Sequence, residues 1–230
     1  MNSYREYLEL PPHSSLKGRE ELEWSNFWYD DANSFSAQRI LLVGDSTARM
    51  VRKELANRLC LPVDLFATSS GLHDELFCNQ IDAFFSIKRK YDVIFVQLGN
   101  HSRQNEEGGQ YTDIDFERYR CDMRSLFLYL KQFSHKIYLE TIFECVKPIS
   151  KINYIFEKIF NIKIEKWDEI INSNTRRKNV IIYEIAEQMN GGFLDINEFM
   201  KGEKYLRVDH IHFEKKAIPA IVNQMVMAIE

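Results

Sequence analysis

The sequence lacks the features of a secreted, membrane-spanning or nucleic-acid-binding protein. Its N-terminus, MNSYREYLELPPHSS, has no basic segment followed by an apolar core, and no apolar stretch approaches the length of a membrane span. The 30 basic and 34 acidic residues leave a net charge of -4, which gives no electrostatic footprint for nucleic acid. We therefore expect a cytoplasmic protein without a membrane span and without a nucleic-acid partner.

The cysteines lack the spacing of a metal or redox motif. Cys60, Cys78, Cys121 and Cys145 include no CxxC pair, and each lies in or beside an apolar stretch. We expect buried free thiols, with two disulfides as the alternative.

The length of 230 residues, of which 45% are hydrophobic, suits one domain with a full core. Residues 1–37 place aromatic residues among charges, and we expect an N-terminal extension that packs on the domain, with a short helix at 18–30. Residues 38–230 form the domain itself. Residues 147–172 exceed a normal connection, which indicates an inserted helical element.

From residue 38, strand-like apolar runs alternate with segments of helical spacing. The runs lie at 39–43, 63–67, 92–98, 136–142 and 192–196, and the helical segments at 47–59, 73–88, 114–133, 174–189 and 215–229. This alternation predicts an α/β fold with a five-stranded parallel sheet and helices on both faces. A flavodoxin-like strand order would make a three-layer α/β/α sandwich, with any site at the carboxyl ends of the strands.

The run QRILLVGDSTARM, residues 38–50, stops its apolar stretch on Gly44-Asp45-Ser46 and continues as a helix-forming sequence. A serine here lies near the positive end of a helix, where a developing oxyanion is stabilised. The alternative is a plain helix cap, since Ser, Thr and Asp are favoured at that position. The tripeptide alone does not decide between a nucleophile and a cap.

Asp209 and His212 lie just before the last helical segment. At a spacing of three they share a face of a helical turn, so the carboxylate can accept from one ring nitrogen and leave the other as a general base. One alternative is a helix cap beside surface histidines, and another is a metal site of Asp209, His210 and His212. The i, i+2 spacing of the histidines and the missing HExxH pattern disfavour the metal.

Two further polar clusters follow predicted strands. Gly99-Asn100-His101-Ser102 offers side-chain donors from Asn100 or His101, and Ser69-Ser70-Gly71 offers a glycine N–H. The alternative for Gly99-Asn100-His101-Ser102 is an ordinary polar turn. Together the clusters hold a nucleophile, a His–Asp pair and oxyanion donors at one edge of the sheet, which is the inventory for acyl transfer through an acyl-serine.

Over about residues 38–229 the sequence resembles the SGNH/GDSL hydrolase family of esterases and lipases. Gly44-Asp45-Ser46 resembles the block that carries the nucleophile, and Asp209-His210-Ile211-His212 resembles the DxxH that supplies the rest of the triad. Gly71 is the best match for the second-block glycine. The third block, Gly-x-Asn-Asp in the family, here reads Gly99-Asn100-His101-Ser102, with the asparagine one position early.

The resemblance implies a serine esterase with Ser46 as nucleophile and His212, oriented by Asp209, as base. The N–H groups of Ser46 and Gly71, with Asn100 or His101, would hold the oxyanion. The expected substrate is a small acyl ester, above all acetyl, of a small molecule or a glycan, and no cofactor or metal is expected. The alternatives are an O-acyltransferase with the same triad and a non-catalytic glycan- or partner-binding protein on this scaffold.

Overall fold

The computed structural model describes residues 2–13, 22–34, 38–101, 111–147, 149–160, 169–201, 203 and 206–230. The strands are β1 Ser25–Trp28, β2 Ile40–Gly44, β3 Val63–Thr68, β4 Val93–Gln97, β5 Ile137–Glu140 and β6 Gly192–Leu194. The α-helices are α1 Ser46–Leu59, α2 Glu75–Phe85, α3 Asp113–Leu130, α4 Lys151–Phe160, α5 Glu169–Met189, α6 Ile196–Met200 and α7 Ile218–Ile229. Short 3-10 helices lie at Tyr4–Tyr7 and Lys215–Ala217.

The strands form one sheet in the order β1-β3-β2-β4-β5-β6. All pairs from β3 to β6 are parallel, and β1 joins the edge antiparallel to β3. The parallel part has the flavodoxin-like order, so the predicted fold class is confirmed. The short helix expected at 18–30 is wrong at residues 25–28, because these residues pair with the exposed edge of β3; residues 14–21 lie outside the described part.

Both faces of the sheet are covered, as a parallel sheet requires. Leu41 and Val43 of β2 point into a core shared with α2, α3 and α5. Ile40 and Leu42 point the other way, into a core shared with α1, α6 and α7. Every residue of β2 is therefore buried, and the strand ends directly below the helix that follows it.

The first residues of the chain pack on this domain. Tyr4 is fully buried, and its ring makes edge contacts with Phe77 and Tyr129 at centroid distances of 5.7 and 5.3 Å. Within the proposed insertion at 147–172, α4 has no buried residue; residues 148 and 161–168 lie outside the described part.

All four cysteines are free thiols. Cys78 and Cys145 are buried and Cys121 is half-buried, whereas Cys60 is exposed, so the expected burial is wrong for Cys60. Cys60 follows the last residue of α1 with a φ of 53°, at a left-handed turn on the surface. Among the described helices, none combines the length and the apolar character needed to cross a bilayer.

Candidate active site

The turn between β2 and α1 presents Ser46 as the first residue of the helix. Asp45, not Ser46, is the N-cap: its carboxylate accepts from the Thr47 N–H at 2.8 Å and from the Thr47 hydroxyl at 2.7 Å. The Ser46 hydroxyl is therefore not needed as the cap, and it is directed elsewhere.

The Ser46 hydroxyl lies 2.6 Å from His212 Nε2, and His212 Nδ1 lies 2.7 Å from Asp209 Oδ2. Because an ionised carboxylate only accepts hydrogen bonds, Nδ1 carries the proton and Nε2 is left to accept from the serine. The structure thus brings the three residues into the serine–histidine–aspartate order that the sequence suggested.

Asp209 and His212 do not lie on a helix, so the expected helical turn is wrong. They lie in a loop that ends before the 3-10 helix at Lys215–Ala217. Asp209 Oδ1 accepts from the backbone N–H groups of Ile211 and His212, each at 2.8 Å, and this side-chain turn brings the carboxylate back to the ring. Burial would raise the Asp209 pKa, but these N–H donors and the His212 ring lower it to about 2.

The two ends of the same loop contact each other and hold it together. The Val208 N–H donates to the His212 carbonyl at 2.8 Å, and Arg207 forms a β-bridge with Phe213. The Arg207 guanidinium lies 3.6 Å from the centre of the Phe213 ring and donates to the Ile211 carbonyl. Burial lowers the pKa of Arg207 to about 10, so it remains a cation inside the loop at neutral pH. Sequence reasoning gave this residue no role.

The segment after β4 is held by buried groups. Gly99 has a φ of 143°, and a Cβ there would collide with Ile142 and with the Tyr119 hydroxyl. The Tyr119 hydroxyl donates to the Leu98 carbonyl at 2.8 Å, and the Lys178 ammonium donates to the Gly99 carbonyl at 2.9 Å. This anchoring fixes where the next residues point.

The Asn100 side chain reaches the turn between β2 and α1. Its side-chain N–H donates to Asp45 Oδ2 at 2.9 Å, and Asp45 is only 1% exposed. Asn100 thus lies beside the residue that precedes Ser46. A Cβ on Gly71 would stand 3.1 Å from the His101 carbonyl oxygen, so the second and third clusters adjoin at this edge of the sheet.

Two buried polar residues behind the turn between β2 and α1, Gln97 and Glu140, were not predicted from the sequence. Each is the last residue of a strand and belongs to no recognisable motif. The Thr47 hydroxyl contacts the Gln97 side-chain oxygen, and Gln97 Nε2 donates to the Thr141 carbonyl at 2.9 Å. Glu140 lines a small cavity with Thr47 and Gln97, and its Oε1 has no hydrogen-bond partner among the described residues. Burial raises the Glu140 pKa to about 8.

The metal alternative can be tested on the same geometry. Within the part of the chain that the structure describes, no group of three or more His, Cys, Asp or Glu side chains is placed to hold a metal ion. His212 directs both ring nitrogens to Ser46 and Asp209, which is the arrangement of a proton relay.

No protein-family model matches the chain, and no curated protein matches it in sequence. Its fold is shared with solved structures. The acetylxylan esterase Axe2 of Geobacillus stearothermophilus aligns with a TM-score of 0.55 at 17% identity, covering 84% of this chain and 94% of Axe2. The acetyl xylan esterase AlAXEase aligns with a TM-score of 0.59 at 16% identity, covering 84% of this chain and all of that one.

The C-terminal catalytic domain of the peptidoglycan O-acetyltransferase OatA of Streptococcus pneumoniae aligns with a TM-score of 0.53 at 16% identity, covering 84% of this chain and 93% of that domain. The Axe2 structures include catalytic mutants in which a serine or an aspartate is replaced by alanine. These likenesses show that the chain has the fold of these esterases and of this transferase domain.

Proposed function

We propose that this protein is a serine esterase of the SGNH/GDSL type that hydrolyses small acyl esters, acetyl above all, on a carbohydrate. The observation that carries the proposal is the continuous hydrogen-bond chain from Ser46 through His212 to Asp209. That chain lies at the carboxyl end of a parallel sheet, where an open α/β fold binds its ligands.

In the proposed reaction, His212 Nε2 takes the proton of Ser46 as the serine oxygen attacks the ester carbonyl. Asp209, ionised because its pKa is about 2, stabilises the imidazolium that forms and holds the ring in place. Collapse of the tetrahedral intermediate breaks the ester bond, and His212 gives its proton to the leaving alcohol. Water, deprotonated by His212, then attacks the acyl-serine; the bond to the serine oxygen breaks, His212 returns the proton to Ser46, and the acid is released.

The developing oxyanion needs donors opposite the nucleophile. We assign these to the N–H groups of Ser46 and Gly71 and to the side chain of Asn100. Asn100 is preferred over His101 because its amide nitrogen already lies 2.9 Å from Asp45, next to the nucleophile. An amide nitrogen carries two N–H donors, so one remains after the bond to Asp45.

The solved structures that share the fold support the proposed substrate class. Two acetylxylan esterases each align with 84% of the chain, and a serine and an aspartate are catalytic in Axe2. The OatA domain, with the same fold, transfers acetyl groups on peptidoglycan, so transfer to a sugar hydroxyl is the second candidate. We also propose a cytoplasmic location, since four free cysteines, one of them exposed, suit a reducing compartment.

The test is acetate release from 4-nitrophenyl acetate and from acetylated xylo-oligosaccharides, with and without added deacetylated oligosaccharide. We expect the wild type to release acetate and Ser46→Ala to release none at an unchanged melting temperature. Ser86→Ala, an exposed serine at the end of α2, is the matched control and should keep the wild-type rate. Transfer of the acetyl group to the added sugar would identify the transferase, and turnover by Ser46→Ala would contradict the proposal.

A further inference from the structure

Arg49 differs from the other exposed arginines of the described residues in its partners. Those arginines each pair with a carboxylate within 4 Å, namely Arg5 with Glu75, Arg58 with Glu54, Arg176 with Glu144 and Glu169, and Arg177 with Asp113. For Arg49 no carboxylate of the described residues lies within that distance, and its polar contact is Nη1 to the side-chain oxygen of Asn26 at 3.3 Å. Among the described residues, this exposed cation therefore forms no ion pair with a carboxylate.

This cation lies next to the nucleophile. Arg49 follows Ser46 by three positions on α1, so their Cβ atoms are about 5–6 Å apart on one face of the helix. Side chains on a helix also lean towards its N-terminus, which here is the end that carries Ser46. The guanidinium can thus reach a group attached to an ester that Ser46 attacks.

The position of the Arg49 guanidinium is fixed by Trp24, the residue before β1. Its central carbon lies 5.1 Å from the centre of the Trp24 ring, a cation–π contact. The backbone of Trp24 is held in turn at the carboxyl end of β3. The Trp24 backbone N–H donates to the Ser69 hydroxyl at 2.8 Å, and the Ser69 N–H donates to the Trp24 carbonyl at 3.1 Å. Ser69 belongs to the cluster that contains Gly71, so the backbone of Trp24 is hydrogen-bonded to the segment that we assign to the oxyanion hole.

Glu23 places an acidic group beside the same cluster. Its carboxylate accepts from the Ser69 and Ser70 hydroxyls at 2.6 and 3.4 Å and makes no ion pair with Arg49. A guanidinium has five N–H donors in a planar fork, and the one bond to Asn26 leaves the fork able to take a carboxylate in bidentate fashion. The aromatic ring below it reduces the freedom that such a bond would otherwise cost.

We propose that Arg49, held on Trp24, binds a carboxylate on the alcohol part of the substrate, so that the preferred substrate is an acetylated acidic sugar. This inference rests on the proposed esterase function. Because an acetyl group carries no charge, an anionic group near Ser46 has to belong to the alcohol that it esterifies. The acidic substrate would then be selected by one ion pair next to the reacting bond.

The test compares O-acetylated galacturonic acid with its methyl ester, two substrates that differ only in the charge of the carboxyl group. For the wild type we expect a kcat/KM about tenfold higher for the acid, as for one hydrogen-bonded charge pair, and a preference that shrinks as salt is added. Arg49→Gln should bring the ratio of the two substrates close to one. Arg49→Lys, which keeps the charge but not the fork, should give an intermediate ratio.

Arg58→Gln removes an exposed arginine from the far end of the same helix and is the matched control, with the wild-type ratio expected. Equal rates on acid and methyl ester by the wild type, or an undiminished preference in Arg49→Gln, would overturn the inference. Turnover of 4-nitrophenyl acetate by the wild type tests the esterase function separately. Calorimetric binding of both sugars to Ser46→Ala, with and without Arg49→Gln, tests the anion site even where no turnover is seen.

Discussion

The two halves of the candidate site are built in different ways. The nucleophile half, the turn from β2 to α1 that carries Asp45 and Ser46, is anchored in the core. Strand β2 is buried throughout, and Asp45 is 1% exposed, with its carboxylate hydrogen-bonded to Thr47 and Asn100. The base half is a loop at the surface, where the side chains of His212 and Asp209 are 33% and 43% exposed. It is held by hydrogen bonds within the loop and by Arg207.

The difference indicates how each half responds to substitution. In the nucleophile half, a polar side chain serves the fold and the site at once, because removing it leaves a buried partner unsatisfied. In the base half, the side chains of Asp209 and His212 are partly exposed, so their loss costs little stability while the proton relay is broken. We expect the loss of a hydrogen bond to buried Asp45 to lower activity and stability together, whereas substitutions of Asp209 should lower activity alone.

The largest loss of activity is expected from Asp209→Asn in the base half. The amide oxygen can still accept both backbone N–H groups, but an amide nitrogen, which is a donor, then faces His212 Nδ1. The side chain no longer fixes the His212 proton on Nδ1 or stabilises the imidazolium, so kcat should fall by about 10³–10⁴. The melting temperature should change little. Since the Asp209 pKa is about 2, the wild type should show no loss of activity from this group between pH 5 and 9. A large drop in melting temperature would show that Asp209 contributes to the stability of the fold as well as to the reaction.

Next is the oxyanion donor, tested by Asn100→Ala and His101→Ala. We expect Asn100→Ala to lower kcat by about 10²–10³, the usual cost of one oxyanion donor. It should also lower the melting temperature, since Asp45 loses a hydrogen-bond partner. His101→Ala should cost less than about tenfold. The assignment of Asn100 is wrong if His101→Ala turns out to be the slower enzyme.

A smaller loss of activity is expected from Arg207→Lys, which acts through the base loop. The ammonium keeps the charge but cannot both stack on Phe213 and donate to the Ile211 carbonyl. His212 should then be held less firmly, and kcat should fall about tenfold with KM nearly unchanged. Lys216→Arg, an exposed basic residue beyond the loop, serves as the control. An unchanged kcat would mean that Arg207 does not position the loop.

The smallest effect on activity, but a clear one on stability, is expected for Glu140→Gln behind the nucleophile half. The folded-state pKa of about 8 lies above the ordinary value of 4.5, so Glu140 is bound to a proton more tightly in the folded state. Wild-type stability should therefore fall as the pH rises from about 4.5 through about 8, by roughly 4 kcal/mol for this group.

The neutral amide of Glu140→Gln should flatten that slope, measured as the free energy of unfolding in urea across the same pH range. Glu187→Gln, an exposed glutamate of α5, should leave the slope as it is in the wild type. Parallel slopes for wild type and Glu140→Gln would show that Glu140 is not a buried acid in solution.

The parts of the fold and site that the sequence predicts are those with a local signal. Five strands and the helices between them follow from apolar runs and helical spacing, and the Ser46 turn follows from the strand end before it. Asp209 and His212 are close in sequence, so their pairing is visible, although the loop geometry is not. It depends on a side-chain turn and on a bridge between Arg207 and Phe213.

The remaining features depend on contacts between distant segments. Strand β1 is short, and only the edge of β3 makes it a strand. The burial of Glu140 depends on helices packed over the end of β5, and the contact of Arg49 with Trp24 joins α1 to the edge of the sheet. Whether Asn100 or His101 points at the nucleophile depends on the backbone of Gly99, which the sequence does not specify.

The most direct test of the account is labelling of the purified, folded protein with a fluorophosphonate, followed by intact mass and peptide mapping. A serine activated by His212 should give a single adduct on Ser46, and Ser46→Ala should give none. His212→Ala should slow the labelling strongly at an unchanged melting temperature, because the base is lost and the fold is not. A folded wild-type protein that takes no label, or takes it on another residue, would contradict the assignment of Ser46 as the nucleophile.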